Sequence, residues 1–296
     1  MMLHRLWLTP RAGVGFSGRR PVRAFATIVG LLPSSVAIES GFSAVIVPPR
    51  LEAPVVLVHG LSGFSRLVPR RESPSEYFPG IPPYLAASGN RILCPRVTPT
   101  ASVSTRALEL RAILLKELGS QPFHLIGHSQ GGLDARYLIS RLGMDNQVIS
   151  LTTVGTPHRG TAFADWGIAR LARFVCPLLR WARIPDHAFF ELTTESCRQF
   201  NESTPDVPGV RYYSVAGVCE EHWLNAGWRW ASRLVGRIEG PNDGIVSVAS
   251  ATWGERTDIW AGDHLSLVNW PNHRMQRAGE SWDRTGDYAR ILGQLA

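Results

Sequence analysis

Ser129 is the residue whose surroundings most clearly favour chemistry in this 296-residue chain. It lies in the run Gly127-His128-Ser129-Gln130-Gly131, after apolar residues 123–126 and before a helix-like segment that extends to about Leu142. A serine in a sharp turn between a buried strand and a helix has its hydroxyl raised above the sheet edge. The small flanking residues let the strand and helix approach closely, and the first N–H groups of the helix favour negative charge. The pattern therefore predicts a serine nucleophile for acyl transfer.

A serine hydroxyl needs a base to take its proton, and the base needs an acid to orient it. Asp243 lies in a turn-like run at 241–244, and His264 lies in a later loop. The order serine, acid, histidine is the one that this kind of turn takes along the chain. We expect His264 to be the general base and Asp243 to hold its ring in the productive tautomer.

Other histidines and acids compete for these roles. The alternative bases are His59, His128, His158, His222 and His273, and the alternative acids are Asp258 and Asp263. His59 and His128 are tied to structural turns, and His222 and His273 lack an acid turn as persuasive as residues 242–244. Asp263 adjoins His264 in the chain, so its carboxylate reaches the ring poorly. His158 follows the apolar stretch 148–154, and we expect it to line the pocket.

The oxyanion of a tetrahedral intermediate needs two N–H donors that point toward it before the reaction begins. The N–H of Gln130, directly after the nucleophile, is one candidate. The N–H of Leu61, in the loop after the apolar run 55–58, is the other. Both assignments rest on position in the chain, because a backbone donor has no side-chain signature.

The pattern of elements predicts an α/β fold with a mostly parallel central sheet flanked by helices. We predict strands at 43–47, 55–58, 91–95, 123–126, 148–154, 212–218 and 245–249, and helices at 83–87, 102–118 and 131–142. Functional residues in such sheets gather at the carboxyl ends of the strands. His59, Ser129 and His158 all fall at those ends.

Residues 161–200 are a candidate lid or cap segment. Phe163, Trp166, Leu171 and Phe174 contribute to an apolar stripe, the neighbouring arginines lie off it, and Pro177 interrupts the helix. One interpretation is a surface helix packed on the sheet. The other is a mobile lid whose apolar face meets a lipid interface when it opens. We list these four aromatic and aliphatic residues as pocket or lid candidates.

The composition describes an ordinary globular chain, with 44% hydrophobic and 19% charged residues and no apolar run of membrane-spanning length. The formal net charge is +7, but residues 1–26 contain five arginines and no acid. The remainder carries +2, so we predict no nucleic-acid partner from the charge.

The first 26 residues resemble a transit peptide, because they are rich in arginine and lack acids. Leu3, Leu6 and Trp7 give a short apolar face, and residues 23–26 resemble a mitochondrial processing site. We therefore expect a mitochondrial location, with the cytoplasm or another organelle as the alternative, and a basic tail as the alternative to a transit peptide. We expect residues 36–296 to form a single domain.

Five motifs together resemble the α/β-hydrolase superfamily, specifically the bacterial-type triacylglycerol lipases and their eukaryotic relatives. The motifs are at residues 56–61, 127–132, 155–161, 242–246 and 263–265. The resemblance implies the α/β-hydrolase fold with a helical lid insertion after Thr161. It also implies a triad of Ser129, Asp243 and His264, with Leu61 and Gln130 at the oxyanion hole. The implied reaction is hydrolysis of lipid carboxylic esters through an acyl-serine intermediate, with transient contact at a lipid interface.

One position departs from the bacterial pattern. Those proteins hold a structural calcium ion with an acid two positions after the catalytic histidine, and here that position is Ser266. Because calcium prefers several carboxylate and carbonyl oxygens, we expect no calcium site of that type, no other metal and no cofactor. The four cysteines do not match the bacterial disulfide, and we expect buried thiols.

Two alternatives to a lipase remain open at this point. An acyltransferase or a thioesterase uses the same triad, because the group that resolves the acyl-enzyme is set by water access and by the lid. A non-catalytic interaction protein on this fold is the third hypothesis. The presence of all three triad residues argues against it, since such a protein needs none of them.

Overall fold

In this computed structural model, which describes residues 46–61, 77–170 and 190–296, the chain folds around a six-stranded sheet. The strands in chain order are β1 (Val55–Val58), β2 (Ile92–Leu93), β3 (Phe123–His128), β4 (Val148–Val154), β5 (Arg211–Val218) and β6 (Arg256–Ala261). Their order across the sheet is β2-β1-β3-β4-β5-β6, and all neighbours are parallel. The α/β prediction with a mostly parallel sheet is confirmed.

Helices connect the strands, as parallel pairing requires. They are α1 (Ile81–Ala86), α2 (Val103–Leu118), α3 (Gln130–Leu142), α4 (Thr194–Ser203), α5 (Ala226–Ile238), α6 (Val248–Ala251), α7 (His273–Arg277) and α8 (Thr285–Leu295). Residues 162–170 are also helical. The predicted cap of α2 is present, since the Ser102 hydroxyl accepts the Thr105 N–H at 3.2 Å.

Alternate residues of each strand point to opposite sides of the sheet, and helices pack on both sides. On one face Val55 and Leu57 pack with Ile81 of α1 and with Tyr288 and Leu292 of α8. On the other face lie residues of α2 and α3, which pack against Val56, Val58 and Leu125. The two cores fix β3 near the middle of the sheet, so the residue that follows it, Ser129, has a rigid support.

The turn from β3 into α3 is built on very close backbone contacts. A Cβ atom on Gly131 would lie 2.5 Å from the Val58 carbonyl oxygen, and a Cβ on Gly127 would lie 2.7 Å from the Gly131 carbonyl oxygen. Only glycine fits where two backbones approach this closely. The glycines therefore let α3 begin directly against β1 and β3.

The prediction of a strand at 245–249 is wrong. The Asp243 carboxylate accepts the N–H groups of Ile245 and Val246, and this curls the chain into a turn. Ser247 then caps the short helix α6. The sheet edge is formed instead by β6, which is not among the predicted strands. The strand predicted at 91–95 is reduced to the two residues of β2.

Several predictions concern residues outside the described ranges. These are the transit peptide at 1–26, the domain start at 36, residues 43–45 of the predicted first strand, and residues 171–189 of the candidate lid. Ile46 and Val47 are described and do not form a strand. Val45–Ala296 form one compact unit. Among the described helices, none combines the length and the apolar character needed to cross a membrane.

Substituting Gly131→Ala tests the close approach at the turn. The new methyl group meets backbone atoms that have nowhere to move, so we expect the free energy of unfolding to fall by about 2 kcal/mol or more. Gly293→Ala is the matched control, because nothing lies within 4 Å of its Cβ position in α8 and alanine favours helix by about 1 kcal/mol. Urea unfolding of both variants measures the difference; equal stability would contradict the packing described here.

Candidate active site

The three residues predicted as a triad come together at the carboxyl edge of the sheet. Ser129 Oγ lies 3.0 Å from His264 Nε2, and His264 Nδ1 lies 2.7 Å from Asp243 Oδ2. All three side chains are buried, with Asp243 fully so. Because a carboxylate only accepts hydrogen bonds, His264 Nδ1 carries the proton and Nε2 is left as an acceptor for the Ser129 hydroxyl.

The backbone of Ser129 is held in a conformation that L residues rarely adopt, with φ at 53° and ψ at −128°. Such conformations persist only where surrounding contacts impose them. The Ser129 N–H donates to the Val154 carbonyl at 2.9 Å, and the Ser129 carbonyl accepts the Thr156 hydroxyl at 2.8 Å. The end of β4 therefore fixes the serine on both sides of its Cα atom.

Asp243 is fixed by the turn in which it lies. Its Oδ1 accepts the N–H groups of Ile245 at 3.1 Å and Val246 at 2.8 Å, which leaves Oδ2 for the histidine. Its backbone carbonyl accepts the His264 N–H at 2.8 Å. The acid and the base are thus joined by a backbone hydrogen bond as well as a side-chain hydrogen bond, and together the two bonds fix their relative position.

His128, the residue before the serine, links three loops of the site. Its Nε2 lies 3.0 Å from the His264 carbonyl oxygen and its Nδ1 lies 2.8 Å from the Tyr77 hydroxyl. A carbonyl only accepts, so Nε2 carries the proton and Nδ1 accepts from Tyr77. The Tyr77 ring also packs near the His59 ring, with ring centroids 5.5 Å apart. Burial first, and the neighbouring His264 second, lower the pKa of His128 well below its ordinary value, so the ring is neutral.

The loop after β1 is held from behind by a buried ion pair. Arg106 Nε donates to Asp134 at 2.8 Å, and both side chains are fully buried. Arg106 Nη2 donates to the His59 carbonyl at 2.5 Å. The His59 ring accepts the Val97 N–H at 3.2 Å and donates to the Gly60 carbonyl at 2.8 Å. His59 is therefore a structural residue of this loop.

The two residues predicted at the oxyanion hole both lie next to Ser129. Leu61 lines the cavity into which Ser129 faces. Gln130 is the first residue of α3, where a helix leaves its N–H without a partner inside the helix. The Gln130 side chain points elsewhere, because its Nε2 donates to the Ala101 carbonyl at 3.1 Å. The role of both N–H groups in binding an oxyanion stays a prediction.

A cavity of about 350 Å³ opens beside Ser129 and His264. Its wall is mainly apolar, and besides these two residues it is lined by Leu61, Tyr77, Pro157, Thr161, Phe163, Ala164, Leu192, Gly227, Trp228, Ala231, Ile245, Val246 and Leu265. This size is at the lower end for sites that enclose a small molecule. The wall favours a hydrocarbon chain or another apolar group next to the serine.

The pocket and lid candidates are placed differently from one another. Phe163 lines the cavity, whereas Trp166 packs edge-on against Trp230 of α5, with ring centroids 4.4 Å apart. Leu171 and Phe174 lie outside the described residues. The assignment of 161–200 as a lid stays a prediction.

The structure corrects the placement of His158, which does not line the cavity. Its ring is fully buried, stacks on Trp253 at 4.9 Å, and hydrogen-bonds the Thr153 hydroxyl at 2.9 Å. The guanidinium of Arg136 covers the same Trp253 ring at 3.8 Å. The neighbouring Pro157, rather than His158, forms the cavity wall.

The other competing residues are engaged elsewhere or exposed. Asp263 accepts the N–H groups of Leu265 and Ser266, and Asp258 pairs with Arg256. His222 and His273 are exposed. None of them contacts Ser129 or His264 through its side chain in the part of the chain that the structure describes.

The position where the bacterial pattern has a calcium-binding acid is occupied by Ser266. Its hydroxyl donates to the Asp263 carbonyl at 2.9 Å, so it closes a local turn. Within the described ranges no group of three histidine, cysteine or acidic side chains is arranged to hold a metal. The expectation that the chain binds no metal and no cofactor stays a prediction.

Three cysteines, Cys94, Cys197 and Cys219, are free thiols in the described residues. Burial raises the pKa of Cys94 to about 11 and those of Cys197 and Cys219 to about 12. A thiol with so high a pKa is a poor nucleophile at neutral pH. Cys176 lies outside the described residues.

Two relatives place the chain in a family. It is 34% identical over 240 residues to triacylglycerol lipase 2 of Saccharomyces cerevisiae, covering 75% of this chain and 73% of the relative. It is 30% identical over 254 residues to the triacylglycerol lipase of Vibrio cholerae, covering 73% of this chain and 79% of the relative. The chain belongs to the triacylglycerol lipase family. The resemblance seen in the motifs is confirmed.

A solved structure supports the fold, and the model of a second family matches part of the chain. The lipase of Staphylococcus hyicus superposes with a TM-score of 0.64, covering 82% of this chain and 95% of that one at 18% identity, which supports the fold. Residues 54–170 also match the model of the palmitoyl protein thioesterase family. That match includes Ser129 and ends before Asp243 and His264.

Burial of neutral histidines makes the stability of the fold depend on pH. Burial, with smaller contributions from nearby arginines, lowers the pKa of His59 and His124 from 6.5 to about 4. Between these values the unfolded chain binds more protons than the folded chain, so stability is lost as the pH falls from 6.5 toward 4. Each of the two histidines removes about 2 kcal/mol between pH 7 and pH 5.

Urea unfolding at both pH values measures this loss. In His124→Asn one of the titrating rings is absent, and we expect the loss to be smaller by about 2 kcal/mol. The exposed His273→Asn is the matched control and should keep the wild-type loss. Equal losses in the two variants would contradict the assignment of His124 as a buried neutral ring.

Proposed function

We propose that this chain is a serine carboxylic-ester hydrolase that acts on lipid esters, with Ser129, Asp243 and His264 as its catalytic triad. The observation that carries the proposal is the continuous hydrogen-bonded series from Ser129 Oγ through His264 to Asp243, which opens into an apolar cavity. Family membership supports the substrate class, since the relatives are named triacylglycerol lipases.

In the first half of the reaction, His264 Nε2 takes the Ser129 proton as Oγ attacks the ester carbonyl carbon. The carbonyl oxygen becomes negatively charged, and the N–H groups of Leu61 and Gln130 are the proposed donors that stabilise it. Asp243 stabilises the imidazolium that forms. His264 then gives the proton to the leaving alcohol, and the acyl group remains on Oγ.

In the second half, a water molecule replaces the alcohol. His264 removes a proton from the water as it attacks the acyl-serine carbonyl, and the same N–H donors stabilise the second intermediate. Collapse of that intermediate breaks the bond to Oγ, and the proton returns to Ser129. The products are an alcohol and a carboxylic acid, and the enzyme is restored.

Thioester hydrolysis is the second candidate. It is favoured because residues 54–170, which include the proposed nucleophile, match the palmitoyl protein thioesterase family. The same triad attacks a thioester carbonyl, and the leaving group is then a thiol. Acyl transfer to an acceptor other than water remains an alternative with the same first step.

We also propose transient contact with a lipid interface. Phe163 in the cavity wall and Trp166 beside it belong to the segment that begins the candidate lid. Aromatic side chains of this kind favour the boundary between water and lipid. Such contact would bring a water-insoluble ester to the cavity without exposing it to water.

Substituting Ser129→Ala tests the nucleophile. The change removes one hydroxyl, so we expect the fold to persist while hydrolysis of p-nitrophenyl esters falls by about 10⁴-fold or more. A fluorophosphonate probe should label the wild type at Ser129 and leave the variant unlabelled. Peptide mapping of the labelled protein identifies the modified residue.

The control variant is Ser150→Ala, which removes another buried hydroxyl, on β4 and away from the triad. The probe should label this variant to the same extent as the wild type. Labelling or turnover retained by Ser129→Ala would refute the mechanism. A parallel series of acyl esters and acyl thioesters of equal chain length compares the two candidates. A higher kcat/KM for the thioester would favour the second.

His128→Asn and Tyr77→Phe test the link between the three loops. Each removes a hydrogen bond of the series from Tyr77 through His128 to the His264 carbonyl without removing a triad side chain. We expect kcat to fall about 10- to 100-fold because misplacement of the base costs rate.

A role limited to folding would predict lower stability with kcat unchanged for the folded fraction. Active-site titration with the fluorophosphonate separates the two, because it counts the folded enzyme. An unchanged kcat per labelled site would show that His128 does not position the base.

A further inference from the structure

We propose that the outward face of α5 is a docking surface for an anionic phospholipid membrane. The surface consists of Trp230, Arg233, Arg237 and, at the end of the helix, Ile238. The choice of a lipid partner rests on the proposed function. The surface itself lies outside the triad and outside the cavity wall.

The sequence of α5 places these residues together. Positions 230, 233 and 237 are three and seven residues apart and therefore share one side of the helix. Ala231, Ser232 and Val235 form the buried side. The helix contains three arginines and no acidic residue. It is thus a basic amphipathic helix, a kind of element that lies in the plane of a membrane surface.

Two large apolar side chains on this helix are exposed to water. Trp230 is 44% exposed and Ile238 is 65% exposed. A tryptophan flanked by arginines suits the headgroup region of a bilayer, because the indole is amphipathic and the guanidinium groups bind phosphates. A basic surface with exposed apolar side chains therefore complements an anionic membrane in both charge and polarity.

An exposed acid, Glu221, pairs with one arginine of the surface. Arg233 pairs with Glu221 at 2.7 Å, but both side chains are more than half exposed. An exposed pair of this kind contributes little to stability. The pair is bidentate, since Nε and Nη2 of Arg233 both donate to the Glu221 carboxylate. A lipid phosphate offers the same pair of acceptor oxygens, so Arg233 can exchange one for the other, and Arg237 adds a second charge one turn further along.

The position of α5 connects this surface to the cavity. Gly227, Trp228 and Ala231 of the same helix line the cavity, and Trp230 packs against Trp166. At its buried side, Ser232 donates to Asn242 at 2.9 Å, directly before Asp243. A membrane bound to the outward face of α5 would therefore contact an element that forms part of the cavity wall.

Vesicle binding by the full chain carrying Ser129→Ala tests this proposal without interference from turnover. The probes are vesicles of phosphatidylcholine alone and vesicles of phosphatidylcholine mixed with phosphatidylglycerol, measured by co-flotation. We expect binding to the mixed vesicles to be stronger and to weaken as salt is added. Each of Arg233→Gln and Arg237→Gln should weaken it about fivefold, since one basic residue near such a surface contributes about that factor.

The matched control is Arg111→Gln on α2, which removes the same charge from an exposed position away from α5. Its vesicle binding should equal that of the parent. Trp230→Ala should weaken binding to both kinds of vesicle. Equal binding by Arg237→Gln and Arg111→Gln would overturn the proposal, as would equal affinity of the parent for neutral and anionic vesicles.

The outcome is distinguishable from failure of the proposed function. In the Ser129-containing chain, Arg237→Gln should hydrolyse a soluble short-chain ester at the wild-type rate, because Arg237 does not line the cavity. Hydrolysis without selective vesicle binding would refute only the docking surface. Selective vesicle binding without hydrolysis or probe labelling would refute only the hydrolase.

Discussion

The close approach of three backbones around Ser129 is the constraint on which the site depends. A Cβ on Gly60 would lie 2.7 Å from the Ser129 Cβ, and one on Gly131 would lie 2.5 Å from the Val58 carbonyl oxygen. This compression holds the serine at its unfavourable φ and aims the start of α3 at the reacting centre. The flanking cores on both faces of the sheet supply the rigidity that such strain requires.

Around this centre, buried polar groups are paired with one another. Arg106 and Asp134 form a buried pair behind the Gly60 loop, and His128 is a neutral ring that donates to the His264 carbonyl. A neutral His128 matters, because its ring lies 4.6 Å from that of His264. A second positive charge so close would oppose the charge that His264 must acquire during catalysis. Neutrality of one histidine thus supports proton transfer at the other.

The sequence predicted the sheet and the three triad positions because both leave local patterns. β1 is a continuous apolar run, β3 and β4 are rich in apolar and β-branched residues, and the turns at Ser129 and Asp243 have recognisable spacing. The links made by Tyr77 and Arg106 were not predictable, since they join residues far apart in the chain. The error at 245–249 has a physical cause: Asp243 binds the N–H groups that a strand would have used. The prediction that His158 lines the cavity was wrong because its neighbour Pro157, rather than its own side chain, reaches the cavity.

The buried neutral histidines have a consequence for where the protein is able to work. Protons accumulate in the water layer next to a negatively charged lipid surface, and at about −30 mV the local pH is lower than that of the bulk by about half a unit. The pKa of about 4 for His59 lies well below that local value at neutral bulk pH. The ring therefore stays uncharged in the proton-rich layer. Because buried neutral rings lower the stability mainly as the pH falls below 6.5, a local fall of about half a unit from neutral pH costs the fold little.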